Sequence, residues 1–566
     1  MNIKLNNEKG VALILALFIM VVLLGLSTIF VLRAAHESNV TKITRIATKA
    51  FYLADAGSQM SLDEMDTLIN NYLQNTILNS NPQNIVNYAK AQVTAGDGLV
   101  WLQNGVRNNG VQVLTLNGNQ AEYTVDATDL AGGTYQIDFI FTEKTDPVTV
   151  IPDEVWDFPF NYRAEATGIK GNLSKTVILT GDFTVRVQRD NFAKYALFTN
   201  TQTMPSGTNV WFTNKTDFAG PIHTNGRYNI YGNPSGVFDG LAQQHEITAR
   251  FYNGGSNILL NADLNGAIDV PSWNAGYDRG VNTISLSSPS QETTMIDKAK
   301  GGVTTSGNGI FVPANDSNLV GGIYVNGNAN VTLSVDVNDN AVYAITQGST
   351  TKNITVDQVN NQTQVETVGG GTQTFNGVPF GSDHVGTLIF VQGAVNSLSG
   401  TVQKDTEITV ASSNDIIITN HLQYADYAPA VGTPGSPDYV PPSAEDTTNL
   451  LGVVSWNGNV RIGSTAPADI NVHGTMLAQD GIFQVDNYST KVPSGTATLL
   501  GGAITNNYGA FGTFNGSTGA HVSGYGRNFV YDERMRYGNA PPYFPSLQAF
   551  IAFTNDITDK MIWQEG

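Results

Sequence analysis

Seven histidines, 29 Lys and Arg against 48 Asp and Glu, and no cysteine are what this 566-residue chain offers for chemistry. His36, His223, His245, His384, His421, His473 and His521 form no H-x-H, H-x-x-x-H or H-E-x-x-H arrangement, the spacings that aim two imidazoles at one metal. The missing cysteines exclude disulfides, thiol nucleophiles and Cys-ligated zinc or iron–sulfur sites. Asp336-Val337-Asn338-Asp339-Asn340 opens like a calcium loop but lacks the Gly and Glu that would complete it, so it reads as a solvated turn. The serine-hydrolase elbow, the P-loop and the dinucleotide fingerprint are absent as well. Carboxylates of a sugar-cleaving enzyme can meet from distant positions, which spacing does not reveal. The chain is read as non-enzymatic, with no cofactor and no metal.

What remains is binding chemistry. Arg227-Tyr228, Arg250-Phe251-Tyr252, and Arg527 with Arg534, Arg536 and Tyr537 set cations beside aromatic rings, the mixture that grips single-stranded nucleic acid. Arg227, Tyr228, Arg527, Arg534 and Arg536 are therefore the candidate ligand-binding residues. Asp532 and Glu533 stand next to the last two and offer salt bridges instead. A net charge of -19 argues against a general nucleic-acid binder, which needs cations to displace phosphate counterions.

The elements that must position these residues follow from patterning. Val11 to Val31 is 21 residues without a charge. As a helix it reaches about 30 Å, the thickness of a bilayer core. Ile43, Ile46, Ala50, Phe51, Leu53 and Ala54 continue at steps of three and four, and no proline intervenes before Pro82. One long helix is expected, apolar all round at first and amphipathic later. Lys4 and Lys9 precede the span but Arg33, Lys42, Arg45 and Lys49 follow it, so charge alone would keep the bulk of the chain in the cytoplasm.

The leader ending Glu8-Lys9-Gly10, followed at once by Val11-Ala12-Leu13-Ile14-Leu15-Ala16-Leu17, resembles the signal of type IV pilins. Lys49-Ala50-Phe51-Tyr52-Leu53-Ala54-Asp55-Ala56-Gly57 resembles the AF-x-x-AEAG block of PilX-type minor pilins, with Asp55 in place of Glu. The resemblance implies cleavage between Gly10 and Val11 by a prepilin peptidase, methylation of Val11, and membrane anchoring through Val11, Leu15 and Val31. It implies other pilins and the inner membrane as partners, and a final location on the pilus or cell surface. Leu15 stands where the family carries a Glu that pairs with a neighbouring N-terminus, a departure tolerable at a filament tip.

Beyond Ser80, Ile85 to Val93 reads as a short helix, and Ala121–Ala127, Thr134–Thr142, Phe160–Thr167 and Ser174–Val187 alternate as strands of an antiparallel meander. From Asn191 the style changes. Ile222-His223-Thr224-Asn225-Gly226, Ile323-Tyr324-Val325-Asn326-Gly327, Ile389-Phe390-Val391-Gln392-Gly393 and Val454-Ser455-Trp456-Asn457-Gly458 are short apolar runs capped by turns, at irregular spacing. With 58 glycines and only 14% charged residues, they suggest a β-solenoid, with a β-sandwich pair as the rival. Asp426 to Glu445, with prolines at 429, 434, 437, 441 and 442, reads as an exposed excursion.

Phe218-Ala219-Gly220-Pro221, Leu450-Leu451-Gly452-Val453-Val454, Tyr531-Asp532-Glu533-Arg534-Met535 and Pro541-Pro542-Tyr543-Phe544-Pro545 resemble a domain of unknown function, DUF4900, that follows PilX-type N-termini. The competence-associated ComZ group of large minor pilins has this layout, and its resemblance implies DNA or a surface ligand as a further partner. The expected fold is α+β: a long membrane helix packed on a small antiparallel pilin sheet, with a large mostly-β solenoid. The boundaries are 1–10 leader, 11–80 helix, 81–190 pilin head, 191–548 solenoid and 549–566 a strand returning to the sheet. The expected role is a tip-located minor pilin that primes assembly and displays the solenoid for adhesion or capture. A membrane-anchored adhesin or carbohydrate-active β-helix enzyme is the alternative.

Overall fold

The computed structural model describes residues 7–78, 80–130, 132–151, 155–253, 256–286, 289–382, 385–432, 436–515, 520–555 and 560–564. The first six residues of the expected leader, and His384, lie outside them. The chain divides into two compact units, one of residues 1–188 with 550–566 and one of residues 189–549.

The smaller unit begins with the helix Asn7–Asp66, which widens into a π turn at Thr67–Leu73 and closes with Gln74–Leu78. Its first half is exposed on every side: Val11, Leu15 and Val31 are 65%, 58% and 67% accessible. A helix apolar all round belongs in an apolar medium, and this one is long and apolar enough to cross a membrane. Its polar side chains are satisfied within the helix, since the hydroxyls of Ser27 and Thr28 donate to the Leu24 carbonyl. The buried stripe starts at Ala50 and continues through Leu53, Ala54, Ser58, Ser61, Met65 and Leu68. Ile43, expected on that stripe, is exposed, because the packed face begins only where the sheet meets the helix.

That sheet is antiparallel, ordered Thr115–Asn117, Gln120–Leu130, Gly133–Glu143, Val155–Lys170, Leu173–Asn191 and Ser546–Asn555, with Lys560–Gln564 also paired to Leu173–Asn191. The long hairpin turns at Gly171, whose φ of 62° suits glycine, and pairs Gly168 with Lys175 and Tyr162 with Gly181. Its inward positions Trp156, Phe158, Phe160, Ala164 and Ala166 are all but inaccessible, as strict alternation requires. Trp101 stacks on Phe158 at 3.9 Å. The helix Pro82–Ala95 contains the expected segment Ile85 to Val93. Its ends are set by Asn81, which accepts from the Gln83 N–H, and by left-handed Gly96.

Small residues let helix and sheet touch. A Cβ on Gly168 would lie 2.1 Å from the Ala50 carbonyl oxygen and 2.4 Å from the Ala54 nitrogen, and one on Gly57 would lie 3.0 Å from the Tyr135 ring. The neighbours of Gly168 are backbone and cannot step aside. Gly168→Ala is expected to cost about 1–3 kcal/mol by overpacking. Hydrogen exchange of the Ala50–Ser61 amides in the full chain should accelerate; unchanged protection would refute the close approach.

The larger unit is built on parallel ladders. The longest runs Tyr277–Arg279, Ala242–Gln244, Ile222–Thr224, Leu197–Thr201, Thr496–Asn507, Asn471–Ala478, Leu450–Ser455, Glu407–Ser412, Thr387–Gln392, Ile323–Asn326. All four recurring apolar runs lie in it. The chain thus enters in the middle at Leu197, builds outward to Tyr277, crosses to the far end at Ile323 and works back until Ala503 pairs with Leu197. A second ladder joins Ala329–Val335, Val395–Val402, Ile416–Tyr424, Val460–Ile462 and Phe483–Val485. Leu197, Ile222, Ile389, Val453, Val454 and Ile504 are fully buried along the first ladder and Val395, Ile416 and Val460 along the second.

Two features interrupt this regularity. Ala329–Val335, Ala341–Gln347, Thr350–Asp357, Gln362–Thr367 and Thr372–Asn376 form an antiparallel meander. Here strict alternation between tight turns at Asp339, Gly348 and Asn361, all with positive φ, favours hairpins over crossovers. A helix, Pro289–Lys300, packs Met295 and Ala299 into the core on the crossing segment.

Candidate functional site

Gly10 and Val11, the expected processing pair, sit in exposed helix. A Cβ on Gly10 would meet nothing within 4 Å, so neither packing nor backbone conformation asks for glycine there. Glycine inside an exposed helix costs about 1 kcal/mol relative to alanine. Gly25 is equally open.

The five candidate ligand-binding residues do not form one patch of available cations. Arg227 donates to Glu246 at 2.9 Å and to Thr248 at 3.2 Å. Tyr228 is a correction. Its ring is fully buried, with centroids 5.1 Å from Phe212 and 6.1 Å from Tyr277, and burial pushes its phenol well above the usual range. It cannot stack on a ligand. The Tyr228 N–H donates to the buried Gln244 side chain, which ties this stretch of backbone to the core and keeps the ring inside.

Arg527 lies over the Tyr508 ring at 5.5 Å and the Phe529 ring at 5.8 Å, and donates to the Tyr508 hydroxyl and to Thr216. Arg534 is the most committed of the set. Its Nε and Nη2 bind both oxygens of Asp532 at 2.9 and 2.6 Å, and its Nη1 donates to the Thr447 and Asn449 carbonyls at 3.1 and 2.7 Å and to the Thr447 hydroxyl at 3.0 Å. The guanidinium also stands 5.2 Å from the Tyr424 centroid, and its side chain is only 10% accessible. Burial opposes its charge, but Asp532 and Tyr424 more than offset this and raise its pKa. Arg536 pairs with Glu533 at 2.8 Å and remains exposed. The salt-bridge reading therefore describes Arg534 and Arg536.

Two histidines are buried and neutral. Burial lowers His473 to about 3, with the positive field of His421 and Arg534 acting in the same direction. Its Nδ1 accepts from the Tyr424 N–H at 3.1 Å. Burial lowers His223 to about 4 against a hydrogen bond with Asn225, and its ring stacks on Phe198 at 5.2 Å. Both serve packing. Among the described residues no group of three His, Asp or Glu could hold a metal ion. Asp336 accepts from the Asn338 and Asn340 N–H groups at 2.8 and 2.9 Å, closing its own turn.

Tyr252 stays half-buried beside Trp211 and Tyr231, two rings that sequence reading passes over. The signal was the echo between Asn229-Ile230-Tyr231 and Arg250-Phe251-Tyr252, a buried residue followed by an outward aromatic on neighbouring strands.

No curated protein and no solved structure matches the chain. Residues 157–242, from the long hairpin of the smaller unit to the ladder strand Ala242–Gln244, match the family described as a domain of unknown function, DUF4900.

Proposed function

We propose that this chain is a PilX-type minor pilin of the large, ComZ-like kind. The observation that carries the reading is the division of labour along one helix. Residues 11–31 bury nothing in their own unit, while Ala50, Leu53, Ala54 and Gly57, in the block that resembles the PilX signature, are sealed against an antiparallel sheet. A subunit held first in the inner membrane and then in a filament needs an apolar span without partners of its own and a head gripping the lower helix.

On this reading the antiparallel sheet is the pilin head, and residues 189–549 are a β-solenoid whose rungs are the ladder strands. The solenoid enters and leaves through the head's own strands, Leu173–Asn191 and Ser546–Asn555, as an insertion would. Its bulk and Leu15, which lacks the carboxylate needed to pair with a subunit above, favour the filament tip. The protein primes assembly with other pilins and displays a binding surface without turnover. Arg534 and Arg536 are paired with Asp532 and Glu533, which argues against the densest basic spot as a DNA-capture site.

Mass spectrometry of the protein from its native envelope tests the reading. N-methylated Val11 is expected, and Gly10→Val should leave the leader attached and the protein out of filaments. An intact Met1 in the wild-type protein would remove the pilin assignment.

A further inference from the structure

Phe212 bridges Ile230, and Ile230 pairs with Phe251 on the next strand of the larger unit; all three are completely buried, with Trp211 one residue before Phe212 and Tyr231 and Tyr252 one residue after their partners. Side chains alternate along a strand, so the adjoining Trp211, Tyr231 and Tyr252 belong to the outer face, and all three are partly accessible. Their rings touch edge to face, Tyr231 to Tyr252 at 4.6 Å between centroids and Trp211 to Tyr252 at 5.8 Å. Leu259, opposite Arg250 in the next strand, extends the apolar strip and is 48% accessible. With Tyr252 in the middle, these centroid steps put the outer rings of the cluster no more than about 10 Å apart, room for about two hexose rings.

The polar groups beside the rings are amides and committed guanidiniums. Arg250 donates through Nη1 to the Asn209 and Asn229 side chains, and Arg227 is paired with Glu246. An anionic polymer would find the Arg227 charge answered by Glu246, and would approach Arg250, which is held by neutral amides, against a chain net charge of -19. A polyhydroxylated ligand needs no net charge. Its C–H faces lie on aromatic rings, which can carry such a ligand without a free charge beside them.

We propose that the outer row of Trp211, Tyr231 and Tyr252 binds a neutral polysaccharide. This gives the display role proposed above a ligand class and rests on that reading only for its biological setting. The test is made on the purified full chain in detergent, so it stands or falls separately from the processing of Val11.

The probes are hexasaccharides of β-1,4-linked glucose, β-1,4-linked N-acetylglucosamine and α-1,6-linked mannose, with oligo(dT) as the anionic comparison, read by titration calorimetry and tryptophan fluorescence. At least one hexasaccharide is expected to bind at millimolar concentration and quench fluorescence. Trp211→Ala and Tyr252→Ala should each weaken it about tenfold, equivalent to about 1.4 kcal/mol, with unchanged thermal unfolding. Should Trp211→Ala fold poorly, Trp211→Phe keeps a ring and should lose the quenching while retaining binding. Absence of binding by all three sugars overturns the proposal, as does oligo(dT) binding that Tyr252→Ala abolishes while no sugar binds.

Discussion

Arg534→Ala should destabilise the larger unit by about 3–5 kcal/mol, the cost of leaving a buried charge without its partner. The stranded group is Asp532, whose side chain is 1% accessible and which loses a bidentate guanidinium. Alanine also releases the Thr447 and Asn449 carbonyls, which lie just before the strand Leu450–Ser455 and which Arg534 ties to the turn Glu533–Tyr537. Arg534→Lys keeps the charge but not the planar fork, and should recover only part of the loss. Asp532→Leu combined with Arg534→Met removes both charges and should be less harmful than Arg534→Ala alone. The exposed Arg536–Glu533 pair is the internal control, and Arg536→Ala should change stability by less than about 1 kcal/mol. Urea unfolding of the full chain in detergent, followed by near-ultraviolet circular dichroism, measures all four. Equal effects for Arg534→Ala and Arg536→Ala would contradict the buried-pair assignment.

Acid should weaken the same unit through His473 and His223. Their native values of about 3 and about 4 lie below the ordinary histidine value near 6.5, so the unfolded chain binds protons first as pH falls. The stabilisation is complete above about pH 6.5 and is lost as pH drops towards the native values. Between pH 7 and pH 4 the loss is about 3 kcal/mol for each histidine. Carboxylates also titrate there, so the informative quantity is the difference between wild type and His473→Gln. Glutamine retains an acceptor for the Tyr424 N–H and cannot be protonated in this range. The wild type should lose about 3 kcal/mol more than the variant over that interval. Parallel stability curves would show that His473 does not titrate with unfolding.

How much of this was legible beforehand depended on the range of the interaction responsible. The uncharged run from Val11 to Val31 and the alternation on either side of Gly171 are local patterns, and local patterns were enough to place the helix and the long hairpin. Arg534 could be read against Asp532 because the two are neighbours in the chain. Tyr228 could not. Tyr228, Asn229 and Ile230 are all buried, so alternation does not decide its side; contacts with Phe212, Tyr277 and Gln244, distant in sequence, do.

The ladder order was further out of reach. Nothing near Leu197 announces that Ala503 will be its partner, because that pairing depends on the chain having first built the ladder out to Tyr277 and then returned from Ile323. The antiparallel meander from Ala329 to Asn376 and the helix Pro289–Lys300 likewise interrupt the parallel ladders, since their tight turns and amphipathic spacing compete locally with crossover connections.

By itself, then, the sequence determined an apolar span with an amphipathic continuation, a meander of strands, a long region rich in short strands, and the absence of thiol chemistry. Tertiary structure alone decided which small residues let helix and sheet meet, which cations stayed committed to carboxylates, and which rings converged on one outer face. Periodicity is carried by neighbours along the chain, whereas burial, ion pairing and convergence are set by residues that only packing brings within a few ångströms.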